Sequence, residues 1–399
     1  MLKILWLIPD SSNSVYENAK EIFNSKTDAT VELFDYASSY KSLGVKAFES
    51  DIVKRCSVDF DVIFLSFFAL SFEMRLPVIE RIRELTPVVL FQADDEIYLT
   101  ISSINYHAVV DAVITTDFHS GGLFEQCGVP ALFFNLPVTF DYRDSCTKAL
   151  HESRKEYDFC FVGDVTKDER QIYIRHLKDC GYSVAVAGEG SALGKLPRSE
   201  TFKLIRRSKV VLNFTGVSVP WFVRLLEPWR DNVKQIKGRP IESALLGTVC
   251  LSERAPGLDR LFIENEEILI FDDFQDFSRK ANFVRQENKL QLMKARAITR
   301  AQRDYAPEIY YGAVIFNLKK ILKDRPLKRK SIYIQGMNFE VMRALFQLRA
   351  TWFFLRSYDL RKSVEAVLQI NYGLGLIVGL WILCRHYALR RAPDWRILR

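Results

Sequence analysis

Lys237-Gly238-Arg239-Pro240-Ile241-Glu242-Ser243-Ala244-Leu245-Leu246-Gly247 runs directly into Thr248-Val249-Cys250-Leu251 and then Pro256-Gly257, and this stretch decides the fold. Two cations and a glycine precede a short helix with one acid. A glycine turn then leads into an apolar strand. A parallel α/β domain offers groups in this order to a nucleotide diphosphate and its ribose.

Working outward, the same strand-and-helix alternation recurs on both sides of the stretch. Toward the N-terminus, short apolar runs at 2–8, 31–34, 62–65, 88–91, 112–115 and 132–134 alternate with polar-faced helical segments. This pattern predicts βαβ units and a parallel sheet covered on both faces. A charged stretch from Asp141 to Glu156 interrupts the alternation, which restarts at 157–162, 184–187, 210–214, 249–251 and 268–271. The fold class expected is therefore α/β, with two Rossmann-like domains facing a cleft and a mainly helical basic tail. The boundaries expected are 1–150, 151–322 and 323–399. With 399 residues and 48% hydrophobic side chains, the chain exceeds one ordinary core and is too apolar for disorder.

Charge separates the tail from the rest. Residues 323–399 hold 15 Lys and Arg against 5 Asp and Glu, whereas residues 1–322 carry a small net negative charge. Cations confined to a tail with apolar helices point to an anionic membrane surface as partner and away from nucleic acid. Within that tail, 339–356 reads as an aromatic-rich helix, and no residue from Ala366 to Cys384 is charged. Three readings stay open for this run: a membrane span, an interfacial or re-entrant anchor, and a helix packed against the protein. The seven cysteines are scattered, without the paired spacing of a zinc or dithiol site, as in a reduced cytoplasmic protein. The N-terminal apolar run is short, ends in Pro9-Asp10, and reads as a first strand instead of a leader.

The chemistry suggested by the opening stretch is transfer of a group from a nucleotide diphosphate. Such a reaction needs preorganised donors where the leaving diphosphate gains charge. Arg239 supplies a fork, Lys237 a point charge, and Gly238 close backbone approach, while Glu242 can accept from ribose hydroxyls. The same residues also fit a plain helix cap and a surface ion pair.

Lys237 to Glu253, followed by Ala255-Pro256-Gly257-Leu258-Asp259-Arg260 and Glu267-Ile268-Leu269-Ile270-Phe271-Asp272-Asp273, resembles the donor-binding half of GT-B glycosyltransferases, in particular the group similar to spore maturation proteins. The resemblance covers about 157–304 and omits the tail. It implies a nucleotide-sugar donor on the second domain and a glycan or lipid-linked acceptor on the first. It further implies neither cofactor nor metal ion, with retention of configuration. By position, Glu242 would hold the ribose, and Arg239 and Lys237 the diphosphate. Retaining relatives often carry a sugar-contacting glutamate eight residues before the ribose-binding one, and Lys234 stands there instead, which leaves the stereochemical course open.

Further candidates lie at predicted strand ends. Gly163 and Asp164 follow the first strand of the second domain and could offer N–H groups to a phosphate. Gly188 is placed to border the base, and Asn213 ends the third strand facing the ligand. In the first domain Asp10, Asp94, Asp95 and His119 follow strands and are candidates to deprotonate or orient the acceptor hydroxyl, with helix capping as the plain alternative. Glycosyl transfer in cell-surface polysaccharide synthesis, on the cytoplasmic face of a membrane, is the function expected. A sugar-nucleotide epimerase of the same fold and a membrane-tethered glycan-binding scaffold are the rivals.

Overall fold

The computed structural model describes residues 1–57, 59–67, 74–135, 155–228, 230, 232–323, 337–357, 359–367, 377, 380 and 381. The chain divides into two compact units. The first comprises residues 1–134, 218–233 and 311–399, and the second residues 135–217 and 234–310.

The first unit is built on six parallel strands, β1 (Leu2–Ile8), β2 (Ala29–Asp35), β3 (Val62–Leu65), β4 (Val88–Gln92), β5 (Ala112–Thr115) and β6 (Ala131–Phe133), in the order β2-β1-β3-β4-β5-β6. The period-2 alternation of side chains gives the sheet two different faces. On one, Trp6, Phe64 and Phe91 form an aromatic cluster with Phe23, and Tyr311 from the helix Pro307–Lys323 closes it against Phe23 and Phe134 at 4.7 and 5.0 Å between ring centres. On the other, Leu5, Leu7, Ile63, Leu65 and Leu90 pack with Tyr40, Phe48 and Ile82. A buried ion pair ties the helix Leu76–Leu85 to the start of β5. Arg83 Nε lies 2.9 Å from Asp111 Oδ1, and the Val88 N–H donates to Asp111 Oδ2.

The second face also buries part of the tail. The helices Met337–Arg356 and Leu360–Val367 contribute Phe339, Ala350, Phe354 and Ala366 to the same core cluster, and Phe354 stacks on Tyr40. The helices Met337–Arg356 and Leu360–Val367 are thus packed against the first unit. Most of the uncharged run 366–384, and residues 141–154 of the expected linker 141–156, lie outside the described residues. The division into units also differs from the boundaries 1–150, 151–322 and 323–399. Apolar burial groups 337–367 with the first unit, and hydrogen bonds group 218–233 with it: Arg230 donates to the Thr100 hydroxyl (2.9 Å) and contacts Glu227 and the Glu96 carbonyl.

The second unit holds five parallel strands, β7 (Tyr157–Val162), β8 (Val184–Ala187), β9 (Ser208–Asn213), β10 (Val249–Glu253) and β11 (Leu269–Phe271), ordered β11-β10-β9-β7-β8. Phe159, Phe161, Leu212, Leu251 and Phe271 pack one face against helices Asp168–Asp179, Phe274–Ala281 and Glu287–Asp304. Cys160, Ala185, Ala187 and Val211 pack the other against Leu204, Ile205 and Leu246. Strand order matters for function. In a parallel sheet the ligand crevice forms outside the carboxyl ends of the two strands between which the order reverses. That point lies between β7 and β9 in the second unit and between β1 and β3 in the first.

Candidate functional site

At the reversal point of the second unit, two guanidinium groups converge on the end of β7. Arg239, the first residue of the helix Arg239–Leu245, donates through Nη2 to the Val162 carbonyl (3.4 Å) and pairs through Nη1 with Glu242 one turn on. Arg170, near the start of the helix Asp168–Asp179, donates through Nη1 to the Asp164 carbonyl (2.8 Å) and through Nη2 to the Gly216 carbonyl (3.2 Å). It therefore bridges the loops that follow β7 and β9. Lys167 adds a third cation. Burial and then the Arg170 charge hold its ammonium below the ordinary lysine value, and burial acts on Arg170 in the same sense. Burial of both groups disfavours their charged forms.

The β10 end contributes a carboxylate. Glu253 Oε2 accepts from the N–H groups of Thr215 (2.8 Å) and Gly216 (3.1 Å) and from the Thr215 hydroxyl (3.0 Å). Its Oε1 lies 3.3 Å from Lys234 Nζ. Burial raises its pKa, but these N–H groups and the Lys234 charge outweigh burial and hold it below the usual glutamate value. Gly216 is thus held through its N–H by Glu253 and through its carbonyl by Arg170. Lys234, where retaining relatives often carry a glutamate, is paired in turn with a glutamate from β10.

The sequence-predicted residues fall into two groups here. Arg239 and Glu242 lie together as the motif implies, but as each other's partner. Lys237 contacts the Gln235 side chain, and Gly238 caps the helix with helical backbone angles. The Gly163 N–H already donates to the Ala187 carbonyl (2.9 Å), so it is not directed at a phosphate, and the Gly188 N–H donates to Gly194 (2.7 Å). Gly188 sits at φ +125°, and a Cβ on it would lie 2.0 Å from the Gly163 carbonyl oxygen, so crowding between the β7 and β8 ends requires the glycine. Asn213 is buried and donates across the sheet to Ser252 Oγ (2.8 Å), so it braces β9 against β10. Arg170, Lys167 and Glu253 escape a reading by motif. Their sequence signals are a basic residue where a helix start favours acids and an acid closing the apolar run Val249 to Ser252.

The strand ends of the first unit are acidic. Asp94 adopts a left-handed backbone (φ +62°) at the β4 end, half-buried, and its charge raises the pKa values of Tyr16 and Tyr98, in both cases after burial. Tyr16 also feels Asp10 and hydrogen-bonds with Ser66, so it links the β1 and β3 ends. Asp95 is fully buried. Thr115 Oγ1 donates to it (2.7 Å) and Ser103 contacts its other oxygen, while burial pushes its carboxyl up to about 7. Such a group braces the sheet and faces no acceptor. Asp10 accepts from Ser12, and His119 is exposed on the first turn of a helix capped by Asp117. Among the described residues, no group of three or more His, Cys, Asp or Glu could hold a metal ion.

Residues 148–309 match the family described as glycosyl transferase-like. No curated protein matches the chain. A glycosyltransferase from Rickettsia africae has a similar structure, with 11% identity, coverage of 81% of this chain and 99% of that one, and a TM-score of 0.51. HepE from Anabaena, solved in complex with UDP, gives 12%, 80% and 99%, and 0.50. At such identity the likeness is one of fold. Residues 148–309 thus resemble a glycosyl transferase-like segment, in a chain of GT-B fold.

Proposed function

We propose that the chain transfers a sugar from a nucleotide-diphosphate donor to a glycan or lipid-linked acceptor in cell-surface polysaccharide synthesis, at the inner face of an anionic membrane and without a metal ion. The observation that carries this reading is the convergence of Arg239 and Arg170 on the β7 end, at the point where the strand order reverses within a glycosyl transferase-like segment. As the glycosidic bond breaks, negative charge grows on the diphosphate. Arg239, Lys237, Arg170 and Lys167 are fixed cations that stabilise it without reorganisation. Glu242 binds the ribose hydroxyls. Its carboxylate, tied to Arg239, keeps the guanidinium oriented along the β7 end.

In the first unit, Asp94 is the better placed of the acceptor-side candidates, because it is half-buried among Tyr16 and Tyr98. His119 is the second candidate. Either takes or orients the proton of the acceptor hydroxyl. HepE was solved with UDP, which makes uridine nucleotides the first donors to test. The test is a titration with UDP, GDP, ADP, CMP and dTDP followed by release of the sugar from the matching donor. Saturable binding of one diphosphate, with slow donor hydrolysis, supports transfer, whereas binding without any turnover supports a scaffold.

A further inference from the structure

The tail corner formed by the end of helix Met337–Arg356 and the helix Leu360–Val367 presents two opposed apolar surfaces. One is inside the first unit, where Phe354, Ala350 and Ala366 are buried. The other faces solvent: Trp352 is 52% exposed, Leu360 68% and Val364 49%, and Phe353 and Leu355 are also exposed. The two helices are held together by the Asp359 N–H donating to the Phe354 carbonyl (3.0 Å) and by Ser363 Oγ donating to the Thr351 carbonyl (3.2 Å). Five large apolar side chains around one turn form a surface that soluble proteins ordinarily cover. Arg356 lies over the Trp352 ring at 5.5 Å, and Arg361, almost fully exposed beside Leu360, pairs with Glu365 at 3.2 Å.

We infer that this corner is a docking surface for an anionic lipid bilayer, engaged in the plane of the headgroups. Charge complementarity selects that occupant. The tail holds 15 Lys and Arg against 5 Asp and Glu, and its basic side chains flank aromatic and aliphatic ones, as interfacial helices require. A second copy fits less well, since a two-fold contact built here sets Arg356 and Arg361 against themselves. In the sequence, no residue from Ala366 to Cys384 is charged. Because Phe354 and Ala366 are core residues, the corner docks without leaving the protein. Among the described residues no helix is long and apolar enough to cross a membrane. The inference deepens the membrane part of the proposed function and rests on it.

The experiment is flotation of the full chain with vesicles of phosphatidylcholine alone or mixed with phosphatidylglycerol, using wild type and Trp352→Ser/Leu360→Ser/Val364→Ser. All three positions are solvent-facing, so the variant retains its melting temperature and nucleotide binding, both measured in parallel. Wild type is expected to float with the mixed vesicles, less so at high salt, and the triple variant to lose roughly 10- to 100-fold in partitioning. Equal flotation of both proteins overturns the inference and leaves membrane attachment to 366–384. Absence of flotation by wild type overturns both the inference and the membrane reading, without touching donor binding. A concentration-dependent dimer of wild type that the triple variant lacks, with no flotation, assigns the surface to a second copy instead.

Discussion

The two sheets share one architecture and differ in charge at their carboxyl ends, the second setting cations beside Glu242 and Glu253 and the first carrying carboxylates. Around the reversal point of the second unit stand Lys167, Arg170, Lys234 and Arg239. Around that of the first stand Asp10, Asp94 and Tyr16. Both use the same parallel order and the same apolar strands, so fold alone does not separate their roles. Charge does. A leaving diphosphate calls for fixed cations, and an acceptor hydroxyl calls for a nearby carboxylate. The difference also shows in how each unit treats its carboxylates: Glu253 is held ionised by N–H donors and Lys234, while Asp95 is driven by burial toward the neutral form.

The comparison breaks most readily at Arg239. Arg239→Ala is expected to lower transfer by about 100- to 1,000-fold with the fold intact by circular dichroism, since it removes one of the preorganised cations. If transfer survives at near wild-type rate, the cationic end is not the donor site. In the first unit, Asp95 gives a test through stability. Its native carboxyl titrates near 7, well above the ordinary aspartate value of 3.8, so the native state binds the extra proton between those values. Stability from this group is therefore present at acid pH and falls as pH rises toward 7. Asp95→Asn should flatten that decline, by about 4 kcal/mol across the window, in urea unfolding measured pH by pH. An unchanged profile would show that Asp95 titrates normally.

A smaller effect sharpens the second unit. Arg170→Ala should weaken nucleotide diphosphate binding by roughly ten-fold, with Arg170→Lys recovering part of it, because charge returns without the fork that spans Asp164 and Gly216. Equal affinity in all three proteins would reduce Arg170 to a brace. Chelation is expected to have the smallest effect: turnover with excess EDTA should stay within about two-fold of the untreated rate, and its loss would mean that phosphate charge is met by a metal.

Much of the fold was legible because parallel strands buried on both faces read as apolar runs of their own length. Leu2–Ile8, Val62–Leu65, Ala112–Thr115, Tyr157–Val162 and Val184–Ala187 have the expected bounds, and the others shift by one to two residues. The placement of 218–233 and 337–367 in the first unit was not legible, since it depends on partners such as Thr100 and Tyr40 that lie more than a hundred residues away. The site divides in the same way. Arg239 and Glu242 belong to a local motif and could be read. Arg170 bridges its two loops because β7 and β9 are neighbours, and Gly188 is explained by one backbone passing another. Both facts come from strand order, which no single segment encodes.

The most direct test of the central claim is calorimetric titration of UDP, and of the other diphosphates if UDP fails, into wild type, Arg239→Ala and Asp94→Ala. Saturable binding should appear in wild type, collapse in Arg239→Ala, and persist with unchanged affinity in Asp94→Ala. Binding that is lost in Asp94→Ala and kept in Arg239→Ala would contradict the assignment of donor and acceptor to the two strand ends.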